Sequence, residues 1–177
     1  MQQNFTVSSQ GVFQQGKYHT LITAFFSQKD ASHLLFNGMA FVSFGMNSIA
    51  LLGSSRFLLL YMGGGLLSSI AQVSWPYMIP RSWPAYHHYS PYSAGLGASG
   101  AVNAVVAWNI ITFPTSLIYL YGLLPLPAAL LGLAFLGADA YSLYFGQSNI
   151  GNAAHLAGSA YGTAFWVMMR RGALRRP

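Results

Sequence analysis

The chain has 177 residues, of which 54% are hydrophobic and only 6% charged, eight Lys or Arg against two Asp or Glu, where an ordinary soluble domain carries about 25% charged residues. Its pI near 9.8 does not read as nucleic-acid binding, because Arg170, Arg171, Arg175 and Arg176 mass at one end and no basic stripe alternates with aromatics. Positive charge beside apolar segments is the pattern the positive-inside rule expects of a membrane protein, and the absence of cysteine excludes disulfides, thiolate zinc sites and thiol catalysis.

Met1 to Lys17 is a polar, Gln- and Ser-rich N-terminal segment with no apolar run of ten residues and no Arg-rich amphipathic pattern, so neither a signal peptide nor a presequence is legible there. Its Asn4-Phe5-Thr6 sequon is too short a pattern to carry an assignment. Tyr18 to Phe26 is apolar but short and reads as an interfacial loop or half-helix. Five longer stretches then approach the roughly 20 apolar residues that a helix needs to cross a bilayer, fewer where neighbours shelter it. They are span A near His33 to Leu52, B near Phe57 to Trp75, C near Gly97 to Thr112, D near Pro125 to Tyr144 and E near Asn149 to Met169. Breakers or charges bound them: Gly53, Ser54, Ser55 and Arg56 after A, a proline-rich loop from Pro76 to Pro91 after B, Pro114 after C, and Gln147 and Ser148 before E.

Consecutive spans alternate direction, so A, C and E begin on one face of the membrane. The face where they end collects Arg56, Arg170, Arg171, Arg175 and Arg176, and the face where they begin holds Lys17, Lys29 and Arg81. That asymmetry puts the starts of A, C and E on the translocated side. The expected architecture is a single all-α polytopic bundle over residues 18–172, with the polar segment 1–17 before it and a basic tail, 173–177, after it.

Polar groups inside spans are costly unless partnered, and by default they are functional-site candidates. Span A opens with His33 and stacks Asn37 one turn later; C opens with Gly97-Ala98-Ser99-Gly100-Ala101; E carries Asn152 and His155. With a common starting depth, Ser99, His155 and the His33/Asn37 pair can converge. They supply what acyl transfer needs: a serine hydroxyl, and a neutral imidazole to take its proton. Glycines around Ser99 admit a substrate carbonyl to backbone amides at a helix start, with His33 and Asn37 as further donors.

Each feature also has an ordinary structural reading. The Gly-Ala-Ser-Gly-Ala run is a small-residue seam of the kind that lets membrane helices pack, and Gly158 with Gly162 forms a GxxxG assigned to packing against C. Asn37 alone reads as polar glue, and a lone His within a span can be an interhelical hydrogen bond. His87-His88, between Tyr86 and Tyr89, reads as part of an interfacial aromatic belt, since adjacent histidines point apart and further metal ligands are not visible. Asp139 lies toward the same face as the site, where it can orient His155, but an acid near a helix end ordinarily just reaches interfacial water.

Together these residues resemble the rhomboid intramembrane serine proteases, over Gly16 to Gly172. The match lies in Gly97-Ala98-Ser99-Gly100, in Ala154-His155-Leu156-Ala157-Gly158 with Gly162 four residues on, and in His33-Leu34-Leu35-Phe36-Asn37, in family order and at the starts of the right spans. Leu96 to Ala104, and Leu123 through Pro125, Pro127 and Gly132 to His155, look most like plant-type mitochondrial or organellar members.

The resemblance implies a Ser-His dyad in which Ser99 attacks a peptide bond in or near a transmembrane helix of a single-pass membrane protein and His155 serves as base, then acid. It implies an oxyanion site built from Ala98, the Ser99 amide, His33 and Asn37, with Gly97, Gly100, Gly158 and Gly162 as structural glycines. Asp139 is not required, no cofactor or metal is expected, and the lipid bilayer of an organelle, such as the mitochondrial inner membrane, is the setting. The family core has six helices, to which A to E correspond as the last five, with nothing before Tyr18 able to serve as the first. Tyr18-His19, Gln28, Asn103 and Ser159 stand where the family often has Trp-Arg, His, Tyr and Gly. The alternative function is a catalytically silent rhomboid-like protein that binds or retains transmembrane clients; a small channel or carrier fits the short glycine-rich spans less well.

Overall fold

The computed structural model describes residues 4–120, 123–146 and 151–172. The breakers Gln147 and Ser148, the start of span E at Asn149, and the tail 173–177 with Arg175 and Arg176 lie outside the described residues. A helical turn, α1 (Thr20–Thr23), runs directly into a 3-10 turn (Ala24–Phe26). Five long helices follow: α2 (Ala31–Leu52), α3 (Ser54–Met78), α4 (Ser99–Thr112), α5 (Ala128–Phe145) and α6 (Asn152–Arg170). They occupy the five expected spans.

Two local differences from the expected pattern have physical causes. Between α4 and α5 the chain forms a hairpin, β1 (Leu117–Leu120) paired antiparallel with β2 (Leu124–Pro127), so the helix expected from Pro125 begins at Ala128. Pro125 and Pro127 lack the amide hydrogen a helix interior requires, and a two-stranded ribbon, being all edge, accepts them. The second difference lies in length. Among the described residues, only α2, α3 and α5 are both long and apolar enough to cross a bilayer by themselves. Helix α4, at 14 residues, is about 21 Å long against a hydrocarbon core of about 30 Å. It tolerates this because it is the centre of the bundle, with Gly100, Ala101, Val102, Ala104, Val105, Trp108 and Asn109 all buried.

Small residues set the helix spacing. The three consecutive glycines of α3 each face a different neighbour: a side chain at Gly63 would strike the Tyr161 ring, one at Gly64 would strike Ala104, and one at Gly65 would come within 2.8 Å of the Phe25 ring. Gly158 and Gly162 of α6 lie directly on the backbone of α4, at the carbonyls of Gly100 and Ala104. Around this contact Leu52, Phe57, Leu60, Ala104, Val105, Trp108 and Phe165 form the main apolar core. In contrast, Leu34, Leu35, Phe36 and Met39 on α2 and Leu130, Leu133 and Phe135 on α5 are exposed, as side chains facing lipid would be.

One polar knot ties α2 to α4. Asn109 Nδ2 donates to Ser48 Oγ at 2.6 Å and lies 3.0 Å from the carbonyls of Phe44 and Val105. Interhelical hydrogen bonds in membrane proteins contribute about 0.6 kcal/mol on average and up to about 1.7. Asn109→Ala is expected to lower stability by about 1 to 2 kcal/mol, read by equilibrium unfolding in mixed micelles. An unchanged unfolding curve would mean that the knot contributes nothing net.

Candidate active site

The starts of α2, α4 and α6 meet at one end of the bundle. Ser99 is the first residue of α4, preceded by Ala98 at the N-cap position. The approach to it is held from outside the helix. Gly97 adopts φ +138°, a conformation open to glycine and strained for other residues, and its amide donates to the carbonyl of Ala24 at 3.0 Å. Two residues earlier, Gly95 and Val7 exchange a pair of backbone hydrogen bonds, each 2.8 Å; the Gln10 amide donates to the carbonyl of Pro91, and Ser9 Oγ to that of Val73.

The N-terminal segment is thus built into the floor of the loop that presents Ser99. The sequence reading gave residues 1–17 no structural part. Val7 and Val12 are buried with Ala24 against Val73, but two apolar residues scattered among Gln and Ser produce no periodicity to detect.

His155, in the first turn of α6, points at the serine: its Nε2 lies 2.8 Å from Ser99 Oγ. Both side chains are part-buried. The opposite ring nitrogen, Nδ1, lies 3.1 Å from Asp139 Oδ1 on α5, and the same oxygen accepts from Asn152 Nδ2 at 2.8 Å. This position corrects the expectation that Asp139 reaches interfacial water. It stands nearly two turns before the end of α5, and α5 packs on α6 so that the carboxylate meets the face shared by Asn152 and His155. Sequence reasoning passed over Asn152 as a partner, although its i, i+3 spacing to His155 is a legible sign of a common face.

The α2 residues are placed differently from one another. The His33 imidazole lies against Gly97, where a Cβ would come within 2.6 Å of its Cε1, so His33 borders the loop leading to Ser99. Asn37 is turned to Gln28, donating from Nδ2 to Oε1 at 3.0 Å. Gln28, noted above only as a departure from the family pattern, therefore fixes Asn37 from the preceding loop. Gly100 is closed by Ser68 on one side and by the carbonyl of Ala154, 3.3 Å from a would-be Cβ, on the other. His87 and His88 sit apart in a 3-10 turn (Pro84–His88), with His88 against Gly146.

Asp30 starts α2 as its N-cap, accepting from the His33 amide at 2.8 Å and from Ser32 Oγ at 2.6 Å. The Ser32 hydroxyl, and after it the His33 amide, hold the Asp30 carboxyl below its usual value. A depressed folded-state value means that the cap's contribution is fully present above the unfolded carboxylate's value of about 3.9 and is lost as pH falls through the lower folded one. The exchange protection of the His33 amide is expected to persist down to about pH 4 and to vanish below it; protection already lost near neutral pH would contradict this cap.

Comparison with known proteins agrees with this architecture. A family model described as Rhomboid domain matches residues 15–172. RHOMBOID-like protein 12, mitochondrial, of Arabidopsis thaliana is 36% identical over 99% of the chain and 53% of its own length. Rhomboid protein 1, mitochondrial, of Saccharomyces cerevisiae is 30% identical over 85% of the chain and 42% of its own length. Rhomboid protease GluP of Bacillus subtilis is 32% identical over 55% of the chain and 16% of its own length. The chain spans about half the length of the plant relative it matches.

Proposed function

The chain belongs to the rhomboid family, an all-α group of multi-pass membrane proteins, and from that premise we propose that it is a serine-type endopeptidase cleaving peptide bonds in or near the transmembrane segments of other membrane proteins. The observation that carries this reading is the 2.8 Å contact between Ser99 Oγ and His155 Nε2. A serine hydroxyl is inert until its proton has somewhere to go, and that distance is a hydrogen bond ready to take it.

The chemistry follows from the groups present. Ser99 Oγ adds to the scissile carbonyl as its proton passes to His155 Nε2. The carbonyl oxygen becomes an anion and draws on donors at the start of α4, where first-turn amides lack partners within the helix. Ala98 and the Ser99 amide form that helix end, with His33 and Asn37 as side-chain donors. The intermediate collapses, the C–N bond breaks, and the amine departs with the proton from His155. Water, deprotonated by the same imidazole, then releases the acyl group from Ser99. A substrate helix held in the bilayer exposes no peptide bond, so the bond attacked must belong to an unwound stretch that reaches the bundle end where α2, α4 and α6 start.

The mitochondrial names of the plant and yeast relatives support residence in a mitochondrial or other organellar membrane, and the arginine asymmetry supports the starts of α2, α4 and α6 lying on the translocated side. The test is cleavage of a single-pass reporter by the chain in liposomes. Product is expected from the wild type and not from Ser99→Ala. Equal product from both would overturn the reading. Reporter capture that survives Ser99→Ala, without cleavage by the wild type, would instead establish a silent client-binding protein.

A further inference from the structure

We propose that Asp139, steadied by Asn152, is a positioning residue for the catalytic imidazole, which makes the working unit a relay from α5 through α6 to α4; the proposal rests on the protease reading of the same site. A Ser-His pair is complete in atoms without a third member. The geometry nevertheless assigns Asp139 a task that Ser99 and His155 cannot perform for themselves.

Neutral imidazole carries one ring proton, and only the form with that proton on Nδ1 leaves a lone pair on Nε2 to accept from Ser99. A carboxylate can only accept. With Asp139 Oδ1 3.1 Å from Nδ1, the proton belongs on Nδ1, and the contact of 2.8 Å at the other nitrogen is then donated by the serine hydroxyl. The carboxylate thus selects the tautomer that can act as a base. When the proton arrives at Nε2, the imidazolium has a negative partner in place on its far side, in surroundings where side-chain exposure is only 16% for His155 and 18% for Asp139 and charge is poorly screened.

Asn152 contributes the second restraint. It donates 2.8 Å to the same Oδ1, and at three residues before His155 on α6 it fixes the carboxylate to the helix that carries the base. Asp139 is therefore held by two donors from α6 while rooted in α5. Movement of α5 against α6 would pull the carboxylate away and release the imidazole.

The test uses the full chain in liposomes with 15N-labelled histidine, the His155 signals being identified by their loss in His155→Ala. In the wild type, the neutral His155 ring is expected to show protonated Nδ1 and bare Nε2. Asp139→Ala is expected to give a mixture in which protonated Nε2 is substantial. Asp139→Asn keeps the size but adds an amide donor that can turn to Nδ1, so it is expected to shift the ring toward protonated Nε2 and to lower kcat about 10²-fold or more with KM within about twofold, because tautomer selection and charge are lost and the substrate contacts are not. An unchanged tautomer in Asp139→Ala, or an unchanged kcat in Asp139→Asn, would overturn the proposal. Should the wild type cleave nothing, the protease reading fails by itself, while the nitrogen spectra still decide whether Asp139 governs the ring.

Discussion

Ser99→Ala and His155→Ala are each expected to slow cleavage of a transmembrane reporter by about 10⁴-fold or more, and the double variant is expected to be no slower than either. In the proposed mechanism, nucleophile and base act as one unit. Without the hydroxyl, His155 has no proton to accept; without the imidazole, the hydroxyl keeps its proton, and either loss removes the whole covalent route. What survives both is binding and oxyanion stabilisation, which the substitutions leave in place. Initial rates in liposomes, with the variants matched for amount and for thermal unfolding, measure this directly. Multiplying losses in the double variant would mean that Ser99 and His155 serve separate steps, and the 2.8 Å contact would not be the reacting one.

The second large effect is structural. Gly158→Val is expected to lower stability by about 3 kcal/mol or more and to abolish cleavage in whatever fraction still folds. A Cβ at Gly158 would strike the Gly100 carbonyl oxygen. Backbone at a helix crossing cannot swing aside as a side chain can, so α4 and α6 must separate. Gly100 follows Ser99 immediately, and Gly158 lies one turn from His155, so separation at that crossing lengthens the Ser99–His155 hydrogen bond. Gly137 of α5 is the control, since a Cβ there meets nothing within 4 Å; Gly137→Ala is expected to be tolerated. Thermal unfolding in detergent with reporter cleavage reads both, and a Gly158→Val protein as stable and as active as Gly137→Ala would refute the packing argument.

The two effects share a cause. Close approach of α4 and α6 is what lets short side chains at their first turns meet at hydrogen-bond distance, and the glycines are what permit the approach. The Gly63-Gly64-Gly65 run of α3 does the same for three further neighbours, Tyr161, Ala104 and Phe25. The GxxxG spacing marks Gly158 and Gly162 as contact points, but nothing in the composition of the other apolar spans tells that Gly63, Gly64 and Gly65 are contacts while Gly38 and Gly137 face open space.

Apolar run length and breakers determined the five long helices, because a bilayer-spanning segment must satisfy its backbone internally and carry an apolar surface, and both demands are local. The same local reading placed Ser99, His155 and His33 at helix starts of one depth, since alternating direction follows from counting spans. It failed at Pro125 and Pro127, where a helix start and a ribbon strand look alike until the partner strand is known. It also failed at Val7 and Val12, whose burial depends on Val73 and on the loop before Ser99, residues far along the chain. Asp139 shows the division most clearly. Its sequence neighbourhood is that of an acid near a helix end, reaching for water; only the packing of α5 on α6 turns it toward His155 and Asn152. Chemistry carried by one residue and its near neighbours was legible in the sequence, whereas a hydrogen bond between two helices depends on their rotation and separation, which are set by the fit of all the side chains between them.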